Sequence, residues 1–153
     1  MNMISASAPA SATAPLSLVP CTDTPAAVFA AAQILLPHIE RGQRVDAAML
    51  RSAMESAFDA SDATGAWSWK TAYDACEAAT VLFLRKYGKA LFRKSASPAT
   101  VLPQLAKIAG LLPMHTRRSE ESQSFQQFST PLSLGLAAVT AAAITPADRV
   151  LEP

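Results

Sequence analysis

The sequence predicts a mainly α-helical protein, and three observations carry that expectation. Half of the residues are hydrophobic, but alanine dominates that half and aromatics make up only 7%; alanine is the best helix former because it loses no side-chain entropy on folding. Valine and isoleucine are sparse, and few stretches alternate apolar with polar residues as a half-buried strand would. Four segments repeat apolar residues at helical spacing with short links between them, which is the pattern of a small bundle. The 153 residues suffice for one domain of ordinary size, with a core built from Ala, Leu and a few large anchors.

Met1 to Asp23 is rich in Ala, Ser, Thr and Pro and has no periodicity. It cannot bury enough surface to offset its ordering entropy and is expected to be a disordered tail. The first helix should start at Thr24, a good N-cap, with Pro25 at the first helical position. Val28, Phe29, Ala32, Leu35, Leu36 and Ile39 share one face, and Pro37 either kinks this helix or ends it.

Asp46 is the expected N-cap of a second helix, with Val45 and Leu50 spaced as a hydrophobic staple. Met49, Leu50, Ala53, Met54, Ala57 and Phe58 form its stripe. Asp59 to Gly65 is polar and reads as a loop. In the third helix Trp69, Ala72, Tyr73, Cys76, Thr80, Phe83 and Tyr87 recur at helical spacing, with Trp67 and Trp69 as core anchors at its start. Arg85 and Lys86 would occupy the last turn, where the helix dipole favours cations, and Gly88 would close the helix in the left-handed conformation. A fourth helix starts at Ser97 with Pro98 at its first position and buries Val101, Leu102, Leu105, Ile108, Ala109 and Leu112, with Pro103 bending its early part.

The character changes after Pro113. Thr116 to Gln127 is polar and charged. Thr130 should cap, and Pro131 should start, an apolar Ala-rich helix reaching Ile144. Thr145-Pro146-Ala147-Asp148 reads as a turn, and Arg149-Val150-Leu151-Glu152-Pro153 follows. The expected division is a tail over 1–24, a helical domain over 25–113 and a different unit over 114–153, with 116–153 poorly held by the bundle alone.

The net charge of +1 argues against a strong electrostatic pull on nucleic acid by the chain as a whole, while leaving room for a local basic patch. Cys21 and Cys76 make neither a metal-ligand spacing nor a disulfide framework, and His38 and His115 stand far apart without carboxylate or thiol neighbours, so no metal site is expected. No Lys or Arg precedes Arg41, so the basic start of a signal peptide is missing. The longest apolar stretch, Leu132 to Ile144, falls short of the ~20 residues of a membrane span. The expectation is a protein of the cytoplasm with no membrane and no metal partner. No nucleophile–base pair, no paired carboxylates and no phosphate loop stand out, so no catalytic residue is assigned.

The order of residues 128–153 carries more meaning than any one of them. Gln127-Phe128-Ser129-Thr130-Pro131, a helix, a short turn and Val150-Leu151-Glu152-Pro153 follow one another as an aromatic-x-Thr-Pro helix start and an apolar strand ending in an acid and a proline. Phe128 to Pro131 resembles motif X of N6-adenine DNA methyltransferases, and Ile144 to Pro153 resembles the approach to their motif I. Trp69 to Ala79 and Thr116 to Ser122 resemble the start of bacterial strawberry notch-like proteins, which join a methylase domain to a DEAD/DEAH-type helicase domain. The resemblance covers most of residues 25–153, and 116–131 with 144–153 are its specific part.

The resemblance implies a helical bundle followed by the first helix and strand of an incomplete Rossmann-like methyltransferase fold. It implies S-adenosylmethionine (SAM) as cofactor and DNA as partner of the full-length enzyme, with adenine N6 as the target. Phe128, Thr130, Pro131 and Glu152 would be the cofactor-binding residues, the helix start receiving the methionine carboxylate. The family's Gly-rich loop and Asn-Pro-Pro-aromatic tetrapeptide do not occur here, so this stretch is expected to be an N-terminal fragment, inactive by itself. Arg117 and Arg118 would contact DNA phosphate, or else pair with Glu120 and Glu121 on the same helix. The other reading is a free-standing helical module that binds protein or DNA without enzymatic activity.

Overall fold

A computed structural model of the chain describes residues 24–113, 130–145 and 147–150. Helices α1 (Thr24–Glu40), α2 (Ala47–Phe58), α3 (Trp69–Arg93), α4 (Pro98–Ala109) and α5 (Leu132–Ala141) account for most of it, with a single 3-10 turn at Asp62–Thr64. The protein is thus mainly α, and no strand occurs among the described residues. Arg149 and Val150 belong to none, while the expected tail at 1–23 and the residues Leu151 to Pro153 lie outside the described residues.

α1 runs through Pro37 instead of ending there. The missing proline N–H frees only the carbonyl of Gln33, an exposed residue that solvent can serve. The helix is closed by Gly42, whose φ of +66° permits the left-handed turn. Its N–H donates to the Ile39 carbonyl at 3.0 Å and that of Gln43 to the His38 carbonyl at 2.9 Å, the two bonds of a Schellman closure. The apolar face is rotated from the expected one. Ala27, Ala31, Ala32, Leu35 and Ile39 are buried, whereas Phe29 is 48% exposed. α1 meets α3 over the most extensive helix pair, and α3 answers with buried Ala72, Ala75, Cys76, Ala79 and Thr80. Small side chains on both helices let the backbones approach closely, leaving no room for a phenyl ring between them.

α2 forms as its sequence predicts. The Asp46 carboxylate accepts from the Met49 N–H at 2.8 Å, and the staple residues Val45 and Leu50 are both buried. The Val45 N–H also donates to the Leu111 carbonyl at 2.7 Å, tying the α1–α2 link to the end of α4. Leu50, Met54, Phe58, Trp67, Val101, Leu105, Ile108 and Leu112 complete the core. Truncating one of its large aliphatics to alanine costs about 2–5 kcal/mol.

Two expectations about α3 fail. Trp69, Tyr73 and Phe83 are only half-buried, whereas Trp67, the other expected anchor, is enclosed by the core at 4% exposed. Gly88 does not close the helix; α3 continues to Arg93 and Lys94 caps it, the Lys94 N–H donating to the Ala90 carbonyl. A helical glycine costs only about 1 kcal/mol relative to alanine. Lys89 to Arg93 are all capable helix residues, and Leu84 and Leu91 on either side pack against the core, so tertiary contact carries the helix through. Arg85 and Lys86 therefore sit mid-helix, away from the dipole's end.

α4 starts at Pro98 as expected, and Pro103 lies within it. The Thr100 hydroxyl donates to the Ser97 carbonyl at 2.7 Å and receives the Ser97 N–H at 3.3 Å. α5 is shorter than predicted. It begins at Leu132, with Pro131 and not Thr130 in the capping position, and the Pro131 carbonyl accepts the first helical bond from the Gly135 N–H at 3.0 Å. It ends at Ala141 because Ala143 turns left-handed with φ +52°, and the Ile144 N–H reaches back to the Val139 carbonyl at 3.2 Å. Helical conformation is in any case disfavoured just before Pro146, at Thr145. α5 rests on α4. Leu132 and Leu136 are half-buried against the core, and no α5 residue is fully buried.

Candidate functional site

Thr130-Pro131 is the one part of the motif-like constellation that the structure describes together with its helix. Within α5 the first bond is the one that the Pro131 carbonyl receives, so the N–H groups of Leu132, Ser133 and Leu134 have no intrahelical acceptor. Those donors and the exposed Thr130 make a helix start suited in charge to a carboxylate. They are one edge of a site. Phe128, Glu152, Arg117 and Arg118 lie outside the described residues.

Thr130 also lines a groove of about 900 Å³ between α3, α4 and α5. Leu84, Phe92, Leu105, Leu132, Leu136 and Val139 make its walls apolar, and Lys89 and Arg93 stand among the lining residues. Gly88 and Gly135 contribute to its width, since a Cβ at either would meet no atom within 4 Å.

Past the turn after α5, the expected Thr145–Asp148 turn is present. The Thr145 N–H and hydroxyl both donate to one Asp148 carboxylate oxygen at 2.7 Å. These two bonds hold the Asp148 carboxyl below its ordinary value, the backbone donor contributing most.

The most concentrated charge lies elsewhere, on the second half of α3, where Arg85, Lys86, Lys89, Arg93 and Lys94 are all exposed. Lys86 is committed: its ammonium donates to the Glu40 carboxylate at 2.7 Å, and the Tyr87 hydroxyl donates to the same oxygen at 3.1 Å. The Lys86 bond, followed by that of Tyr87, lowers the Glu40 pKa, and the Glu40 bond raises that of Lys86. Arg85, Lys89, Arg93, Lys94 and, on α4, Lys107 have no acidic partner among the described residues. Reading α3 as ending at Gly88 hid this cluster. The signal was nevertheless in the sequence, which has no acidic residue between Glu77 and Glu120, while Arg85, Lys86, Lys89, Arg93, Lys94, Lys107, Arg117 and Arg118 all fall in that interval. A near-neutral net charge conceals a segregated one.

No group of three His, Cys, Asp or Glu among the described residues could hold a metal ion. His38 is engaged by Gln43, Nδ1 to Oε1 at 3.2 Å. Cys76 is buried, and desolvation, with Glu77 adding to it, pushes its thiol up to about 12, far from a reactive thiolate. No helix among the described residues is long and apolar enough to cross a membrane.

Comparison with known proteins returns no matching family model, no matching curated protein and no matching solved structure.

Proposed function

We propose that this chain is the helical lead-in of a SAM-dependent N6-adenine DNA methyltransferase of the strawberry notch-like kind, without catalytic activity of its own. One observation carries the reading: an aromatic-x-Thr-Pro helix start, Phe128 to Pro131, is followed in order by a helix, Leu132–Ala141, by the Thr145–Asp148 turn and by Val150-Leu151-Glu152-Pro153. In the complete enzyme Val150 and Leu151 would enter the first strand of a Rossmann-like sheet. SAM would supply the methyl group, with Phe128, Thr130, Pro131 and Glu152 along one edge of its site. Thr130 and the α5 donors would hold the methionine carboxylate. Arg117 and Arg118 would meet DNA phosphate. The test is transfer of a labelled methyl group from SAM to DNA by the protein extended along its reading frame past Pro153. Label at adenine N6 supports the reading, and an extension without a Gly-rich segment or an Asn-Pro-Pro-aromatic tetrapeptide removes it.

A second reading, a free-standing helical module that binds a macromolecule without catalysis, is favoured by the seating of α5. Leu132 and Leu136 pack half-buried against the bundle's core, so this helix has a partner without any sheet.

A further inference from the structure

We infer that the second half of α3 is a phosphate-contacting face for duplex DNA, with Arg85, Lys89 and Arg93 as its principal row. These three recur every fourth residue of one continuous helix and therefore lie on the same side of it. At 1.5 Å rise per residue neighbouring cations of the row stand about 6 Å apart and the row spans about 12 Å, a length over which a duplex presents several phosphates. All three are exposed and none has an acidic partner among the described residues, so binding breaks no ion pair among those residues. Lys94, which caps the helix, flanks the row, and Lys107 adds a further exposed cation from α4. No acid occurs from Ala78 to Ser119, so within this stretch the cations have no acidic sequence neighbour, and among the described residues Lys86 alone is paired, with Glu40 of α1.

A solvated basic helix face, screened by water and mobile ions, is the ordinary alternative, and the titration below separates the two. A membrane surface is a poorer fit than DNA. Phe92 and Val139, 46% and 45% exposed, are large apolar side chains open to solvent in the groove that Lys89 and Arg93 line, a narrow strip where interfacial helices carry a broad apolar face. The choice of DNA as the polyanion rests on the methyltransferase reading; the location and its electrostatics do not.

The experiment is fluorescence anisotropy of a labelled 25-base-pair duplex titrated with the full chain between 25 and 200 mM salt. It is repeated with the triple variant Arg85→Gln, Lys89→Gln, Arg93→Gln, and with an equal-charge control, Arg41→Gln, Arg44→Gln, Lys70→Gln. Circular dichroism melts check that all three proteins are folded. The wild type and the control should bind with a steep salt dependence. The triple variant should bind about 10- to 100-fold more weakly at the lowest salt, with a slope of log K against log salt shallower by close to 3, about 0.9 per lost phosphate contact. Equal binding by the triple variant and the wild type overturns the proposal, as does no binding by the wild type at 25 mM salt. So does tighter binding to vesicles of anionic lipid than to DNA, which would assign the face to a membrane. These outcomes are read on this chain without SAM. They are therefore separable from failure of the methyltransferase reading, which is read on cofactor use by the longer protein.

Discussion

The indole Nε1–H of Trp67 donates to the carbonyl of Ala60 at 2.8 Å, joining the residue that enters α3 to the loop that leaves α2. The ring is 4% exposed, packs edge-on against Trp69 with centroids 6.0 Å apart, and satisfies its one polar atom where water does not reach. The loop between them is shaped for this contact. Asp59 and Gly65 take left-handed φ values of +50° and +75°, and the Thr64 hydroxyl closes on the Ser61 carbonyl at 2.7 Å.

Trp67 should therefore dominate Trp69 energetically. Trp67→Ala should cost roughly 3–5 kcal/mol, in the range of buried aromatic deletions, and Trp69→Ala distinctly less. Urea unfolding followed by helicity measures both. Equal losses would place the two rings in equivalent environments, contrary to the structure.

Gly88→Ala separates a continuous α3 from one that ends at residue 88. In a helix interior with open space around the Cβ, alanine should stabilise by about 0.5–1 kcal/mol. Were Gly88 a left-handed cap, the same change would destabilise by a similar amount or more. Gly42→Ala, at φ +66°, is the internal reference and should destabilise. The melting temperatures of the two variants should move in opposite directions.

How much of this was legible follows from those residues. The caps at Asp46 and Ser97, the Val45–Leu50 staple and the stripes of α2 and α4 could be read because each depends on residues within a few positions of one another. The half-exposure of Trp69 beside a buried Trp67, the rotation of α1's face and the passage of α3 through Gly88 depend on which helix lies opposite. No local pattern encodes that. Of the candidate cofactor residues, Thr130 and Pro131 are described, one helical position away from where their sequence suggested. The cation row was visible as an acid-free interval, and a net charge near zero hid it.

Cys76 gives a pH signature. Its folded pKa is raised from 9.0 to about 12, so the native state keeps a proton that the unfolded chain releases. The associated stability is fully present below about pH 9 and is lost as pH rises from there towards 12, at about 1.4 kcal/mol per unit. Between pH 8 and 10.5 the wild type should lose on the order of 2 kcal/mol more than Cys76→Ala does. Parallel stability curves for the two proteins would show a thiol that ionises as readily folded as unfolded.

Ala143 holds a left-handed conformation, φ +52°, that costs a non-glycine residue roughly 1–2 kcal/mol. Ala143→Gly should relieve part of that at the end of α5 and raise hydrogen-exchange protection of the Ala143 and Ile144 amides, which bond to the Thr140 and Val139 carbonyls. Unchanged or lower protection would mean that α5 does not close in this way.

Calorimetric titration of SAM reaches the central claim most directly, with three proteins compared: this chain, the chain extended past Pro153, and the extended chain carrying Thr130→Val. The helix start at Thr130 is one edge of a site, and a few hydrogen bonds do not offset the several kcal/mol of association entropy, so this chain should give no measurable heat of binding. The extended protein should bind, and Thr130→Val should weaken it roughly ten- to hundredfold through loss of a bond to a charged carboxylate, worth ~1.5–3 kcal/mol. Micromolar SAM binding by this chain alone, or none by the extended protein, would contradict the account.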